Sequence, residues 1–281
     1  TLDAIGKPGI NFAANVLLMA TNLVLTTPLV VRESNSATTS FLIGDQKART
    51  ILDADEANKL LPLTTGGIAQ IWPKYVIAQL TAGNKVLSPA SVVKVKESGN
   101  IYLIDGLSRG LRVSAATAAA FTKAKLKVVT RADLTGYNTT GTLDWQKITC
   151  GADSYLVDGG VPLLLDQATA SQWPKTAKAL DAKTCQKLRP TTTRVGVFVA
   201  NGSAKYKVIG GKLKAIRTPA EYTAMLGNQT PAALVSSELI ASMPKLNPTS
   251  YVVVANDTLY KVAVKFKTTR AILRTLNNLA T

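Results

Sequence analysis

The chain contains no histidine. That excludes Ser-His-Asp and Cys-His triads, HExxH zinc sites and histidine proton shuttles in one step. Cysteine is nearly absent as well. Cys150 and Cys185 are too few and too far apart for a paired CxxC zinc site. They read either as one disulfide, worth about 2–4 kcal/mol, or as two buried thiols. No serine sits in a GxSxG elbow, and neither Gly159-Gly160 nor Gly210-Gly211 leads into a GxxxxGK[ST] phosphate loop. A long hydrophobic run is also missing. The most apolar stretch, Phe12 to Val31, is broken by Asn15, Thr21, Asn22, Thr26, Thr27 and Pro28. A membrane span wants roughly 20 predominantly apolar residues, so this stretch reads as core structure rather than a transmembrane segment. These absences point to a non-enzyme with no catalytic residue, no cofactor and no metal site.

Acidic residues are few: 17 Asp plus Glu against 33 Lys plus Arg, a formal net charge of +16 over 281 residues. Such a field attracts polyanions: nucleic acid, an anionic cell-wall polymer or an acidic partner protein. The basic residues are spread through the chain with no arginine-rich run, so no specific nucleic-acid partner is expected. A basic surface that serves solubility alone is the plain alternative. The chain starts on Thr1 and reads as a processed or truncated product. A possible disulfide and abundant threonine add to an expectation of export, with an extracellular or cell-surface location.

What is present is a repeat. Phe41, Tyr102, Tyr155, Tyr206 and Tyr260 anchor similar segments, at successive spacings of 61, 53, 51 and 54 residues. A near-constant period of this size marks a repeat architecture. Each anchor follows a β-branched run: Leu29-Val30-Val31, Val92 to Val95, Gln146 to Thr149, Val195 to Val199 and Tyr251 to Val254. A polar turn separates run from anchor. In the middle repeats the anchor strand ends in Asp-Gly or Gly-Gly, residues suited to tight hairpins. A third strand follows, as in Leu111-Arg112-Val113 and Ala215-Ile216, and then a capped helix. Ser114 and Asp53 read as helix caps, with Asp166 in a similar role. Thr218-Pro219-Ala220-Glu221 has capping-box spacing with proline at the first helical position. The expected fold is therefore a β-rich α+β repeat protein of five units, each of three short strands plus a helix. The units run at about 28–90, 91–143, 144–193, 194–249 and 250–281. Residues 1–27 are expected to close them into a propeller-like ring, with an open row as the alternative.

The order of aromatic, two aliphatics, Asp-Gly or Gly-Gly, a basic residue, an aliphatic strand and a capped helix resembles accessory repeats of exported Gram-positive bacterial surface and cell-wall hydrolase proteins. The resemblance covers roughly residues 28–281 and is clearest at Tyr102 to Val113 and Tyr206 to Ile216. Those repeats often carry Lys-Arg-Pro-Ile after the glycines. Here Lys212-Leu213-Lys214-Ala215-Ile216 and Ser108-Arg109-Gly110-Leu111 approximate it. The resemblance implies an extracellular, non-catalytic envelope module and carries over no catalytic residue.

Three residue sets invite chemistry. The recurring tyrosines could form a ligand platform, but a residue at one position of every unit is more often core. Asp45, Asp105 and Asp158 could bind calcium, yet no EF-hand pattern surrounds them and Asp-Gly is ordinary turn chemistry. Trp72, Trp145 and Trp173 could stack on sugars, but their positions differ between units and packing is favoured. The functional expectation is a binding or scaffold module attached to an anionic cell-wall polymer or another exported protein. The alternative is a self-assembling structural subunit of an extracellular layer, fibre or particle. Cys150 and Cys185 are expected to pair within the third unit, joining its opening strand to the turn after its helix.

Overall fold

The β-branched runs form strands because their side chains pack well on a pleated surface. The computed structural model describes residues 28–34, 39–44, 47–64, 69–246, 253–266 and 268–277. The chain divides into a unit of residues 1–245 and a small one of residues 246–281.

In the larger unit the described residues build four separate sheets. The first comprises β1 (Leu29–Glu33), β2 (Ser40–Gly44), β3 (Lys47–Ile51), β4 (Gln70–Trp72) and β5 (Thr81–Val86). The second comprises β6 (Val92–Val95), β7 (Ile101–Asp105), β8 (Arg109–Val113), β9 (Lys127–Val129) and β10 (Thr142–Leu143). The third comprises β11 (Lys147–Cys150), β12 (Asp153–Asp158), β13 (Val161–Leu165), β14 (Lys178–Ala179) and β15 (Arg194–Val195). The fourth comprises β16 (Phe198–Asn201), β17 (Ala204–Ile209), β18 (Lys212–Ile216) and β19 (Ala233–Leu234). Every sheet has the same centre, three antiparallel strands in sequence order. A short parallel strand flanks the first of them, and in the first three sheets another flanks the third.

The aromatic anchors share one register. Phe41 faces Val31, Tyr102 faces Val93, Tyr155 faces Ile148 and Tyr206 faces Val199 across the first antiparallel pair. The two-residue turns after β12 and β17 need left-handed backbone at both positions. Gly159-Gly160 (φ 58° and 86°) and Gly210-Gly211 (φ 53° and 77°) supply it without a Cβ penalty.

Helices follow the meanders where capping residues stand. They are α1 (Ala54–Leu60), α2 (Lys74–Ile77), α3 (Ala115–Phe121), α4 (Ala182–Leu188), α5 (Pro219–Leu226) and α6 (Ser237–Ser242). The Asp53, Ser114 and Thr218 side chains accept hydrogen bonds from the Glu56, Thr117 and Glu221 amides. Asp166 instead accepts from the Ala168 amide, in a turn ahead of a short 3-10 segment. The core runs from sheet to sheet. Leu103 and Leu111 of the second sheet share one buried cluster with Ile148, Tyr155 and Val157 of the third. Leu156 and Leu165 of the third share another with Phe198, Val208 and Leu213 of the fourth.

Two expectations are corrected here. First, no propeller ring forms: the sheets are open, and each has four or five strands of mixed direction instead of three. The chain leaving each meander is long enough to return and lay a strand beside it in parallel, which a hairpin does not allow. Residues 1–27, assigned to ring closure, lie outside the described residues, as does Asp45. Second, the Tyr260 segment is not an anchor strand. Residues Leu259–Lys265 form a helix, α7, and Arg270–Asn277 form α8. The Thr258 hydroxyl accepts from the Lys261 amide and starts α7. The N-cap signal outweighs the β-branched content of Lys261-Val262-Ala263-Val264.

Candidate functional site

Asp105 and Asp158, at two hairpins, hold helices from later in the chain. Asp105, at the end of β7, is buried. One of its carboxylate oxygens accepts from the Asp181 amide at 2.7 Å, and the other accepts from Arg109 Nε. Beside it the Gly106 amide donates to Thr184 Oγ1 at 2.7 Å, so the second sheet's hairpin grips α4 of the third unit. Asp158 does the same one unit on, accepting from the amide and hydroxyl of Ser236 at the start of α6. These carboxylates are occupied by protein donors.

Cys150 on β11 is bonded to Cys185. Cys185 sits inside α4 rather than in a turn after a helix. The bond therefore clamps α4 to the strand it crosses, and the Cys185 amide closes the first helical turn on the Asp181 carbonyl. Trp173 is core: its indole N–H donates to the Gly196 carbonyl at 3.2 Å, and Trp145 packs 6.3 Å away between ring centres. Trp72 lies against the core of the first sheet, and its N–H donates to Gln70. Tyr155 is buried, while Tyr102 and Tyr206 pack on the core from its rim. None of these rings forms a shared platform.

The sequence reading missed a charged junction between the first and second sheets. Glu56 on α1 is fully buried. It accepts from the Ser88 amide at 2.6 Å, from Ser91, and from Lys127 Nζ at 2.8 Å. Lys127 also reaches Asp53 and Asp55. Burial pushes the Lys127 ammonium down, but its bonds to Glu56, Asp53 and Asp55 outweigh that and hold it above the usual lysine range. A second contact ties the same sheets: Lys85 on β5 bridges Asp133 at 2.7 Å. Tyr137 also belongs there. Its hydroxyl accepts from the Leu87 amide at 2.7 Å, and burial pushes it up to about 12. A buried carboxylate needs several donors or it costs several kcal/mol, so Glu56 fixes the junction rather than serving as free chemistry. Lys59 is a local donor three residues on, but Ser88, Ser91 and Lys127 lie 32, 35 and 71 residues away, and no local spacing announces them.

The small C-terminal unit is built differently. Asn256 adopts left-handed backbone (φ 70°), and the Asp257 carboxylate accepts from the Val254 amide, closing a turn ahead of α7. Val262 and Ala263 are buried. Val253, Val254, Tyr260, Val264 and Phe266 are exposed. Two short helices thus stand behind a polar turn, with apolar side chains left outward. Residues 251–281 match the LysM domain. LysM is a peptidoglycan-binding module typical of cell-wall-associated proteins, and it is not catalytic.

No curated protein matches the chain. Two solved structures align weakly. A chain of an intact ESX-5 inner membrane complex is 10% identical, with 91% of this chain and 59% of that chain covered and a TM-score of 0.18. A chain of the periplasmic assembly from that complex is 12% identical, with 82% and 62% covered and a TM-score of 0.18. The sequence thus spans less than two thirds of either chain, and at this TM-score neither carries an argument. Among the described residues no helix is long and apolar enough to cross a membrane, which says nothing of a β-barrel. The LysM segment covers a small part of the chain; the four sheets lie outside it.

Proposed function

We propose that this chain is a non-catalytic attachment module of the cell envelope. The LysM residues 251–281 hold peptidoglycan, and the basic four-sheet unit presents a scaffold at the wall surface. The LysM match is the observation that carries this reading. The net charge of +16 suits a surface rich in anionic polymer. The test is retention on purified peptidoglycan stripped of anionic polymers, comparing the full chain with one lacking residues 251–281. The full chain should be retained and the shortened one should wash through. Equal retention of both would move the binding out of the LysM segment and overturn the proposal.

A structural-subunit role is favoured by a second observation. Ile71, Val128 and Leu234 are 69%, 59% and 76% exposed on the edge strands β4, β9 and β19. They face Arg32, Lys94 and Ala200, which occupy one register position in three different sheets. An unpaired edge carrying apolar side chains is a site for strand pairing between chains. Light scattering over a concentration series tests it; a chain that stays monomeric rules it out.

A further inference from the structure

A cleft of about 550 Å³ opens where the first sheet, the second sheet and α4 meet. Its charged lining is basic: Lys47 and Arg49 from β3, Lys85 from β5 and Lys183 from α4. No acidic side chain lines it among the described residues. Outside the lining, Asp133 holds Lys85, and the Asp181 carboxylate accepts from the Lys183 amide as the cap of α4. Lys47 and Lys183 have no side-chain partner among the described residues. Arg49 gives one of its five N–H groups to a neutral acceptor, the Leu107 carbonyl at 3.2 Å, and pairs with no carboxylate among the described residues.

Two glycines let side chains of the lining approach the backbone closely. A Cβ on Gly83 would stand 2.4 Å from Arg49 Cγ, so glycine is what lets the arginine lie flat along the wall. A Cβ on Gly136 would stand 2.2 Å from Asn84 Nδ2, and this glycine holds φ at 89°. Lys183 arrives from a helix 136 residues away from Lys47 in sequence, placed there by the Asp105 and Gly106 bonds to α4. Three cations with no ion-pair partner among the described residues, two from β3 and one from α4, converge on one polar cleft. That arrangement costs electrostatic energy in the empty protein and is relieved by an anion.

We infer that this cleft binds a phosphate-bearing segment of an anionic envelope polymer. A guanidinium and two ammonium groups suit successive phosphodiesters, with the arginine giving paired hydrogen bonds and the lysines acting as point charges. Single-stranded nucleic acid is the other phosphodiester chain, and the lining disfavours it. Such sites stack bases on exposed aromatic rings, whereas the aromatic in this lining, Tyr137, is buried with its hydroxyl engaged. The origin of the polymer rests on the proposed envelope role. The anion site itself does not.

The test uses the full chain and a dye-labelled linear inorganic polyphosphate, followed by fluorescence anisotropy. K47Q/K183Q removes two charges that have no partner to orphan. K94Q/K96Q removes two exposed charges on and beside β6, away from the cleft, and serves as the matched control. The cleft pair should weaken binding about tenfold or more and lower the salt dependence, and the control pair should change it less than about twofold. Equal losses from both pairs would assign binding to the overall charge and overturn the site. Polyglutamate competing as well as polyphosphate would overturn phosphate recognition. An oligonucleotide binding more tightly than polyphosphate would overturn the envelope polymer in favour of nucleic acid. K47Q/K183Q should still be retained on stripped peptidoglycan through residues 251–281, so failure of the cleft and failure of the LysM reading give different results.

Discussion

Asp158 and Ser236, 78 residues apart, are joined by two hydrogen bonds: the Ser236 amide and the Ser236 hydroxyl both donate to the Asp158 carboxylate. The same hydroxyl oxygen accepts from the Leu239 amide and so caps α6. One carboxylate thus fixes both the start of a helix and its docking on the previous sheet. D158A should cost about 1–3 kcal/mol, because the Ser236 amide loses its acceptor at a partly buried joint. D158N, which keeps one acceptor oxygen, should cost less. Urea unfolding measures both, and an unchanged midpoint for D158A would mean that the joint is ornamental.

The Lys85–Asp133 bridge makes the seam between the first two sheets sensitive to acid. Burial raises the Asp133 carboxyl, but the bonds from Lys85 and Thr130 outweigh it and hold it below the usual carboxylate range. A carboxyl lowered by folding contributes stability that is complete above its unfolded pKa and lost as pH falls through the folded one. D133N should therefore differ most from the natural chain at neutral pH. The two should converge as pH drops below about 4. Thermal melts across a pH series check this; a gap that stays constant down to pH 2 would show that Asp133 contributes nothing through its charge.

The Cys150–Cys185 bond closes a separation of 35 residues. Constraint of the unfolded chain by a loop of this size is worth about 3–4 kcal/mol. Intact mass without reduction should come out two hydrogens below the dithiol. C150S/C185S should lower the unfolding midpoint and loosen α4, which hydrogen exchange would register at residues 182–188. Two freely alkylated thiols in the unreduced protein would remove the bond altogether.

Much of the sheet architecture was legible because its signals are local. The opening strands of the meanders read as β-branched runs, as in Val92–Val95. The caps Ser114 and Thr218 announced their helices through side chains that satisfy amides three residues on. The flanking strands were not legible. Lys178–Ala179 and Ala233–Leu234 are two residues long, and only the surface of the meander makes them strands. Tyr260 misled by arithmetic: its spacing fits the repeat, but Thr258 ahead of it is a helix cap. The basic cleft was invisible for a further reason. Lys47, Lys85 and Lys183 sit far apart in the chain, and charge alone does not reveal convergence.

Wall binding should separate into two parts with different salt responses. Attraction between the basic sheets and anionic polymer is screened, since the Debye length falls from about 10 Å at 0.1 M salt to about 3 Å at 1 M. The proposed recognition of peptidoglycan by residues 251–281 should not depend on that field. On intact walls the chain lacking residues 251–281 should bind at low salt and elute fully by about 1 M. The full chain should lose part of its retention over the same range and keep the rest. On walls stripped of anionic polymer the full chain should show a flat salt profile. The shortened chain holding fast to intact walls at high salt would place a second, non-electrostatic wall contact in the four sheets. A full chain that elutes completely at high salt would leave the LysM segment without a role in retention.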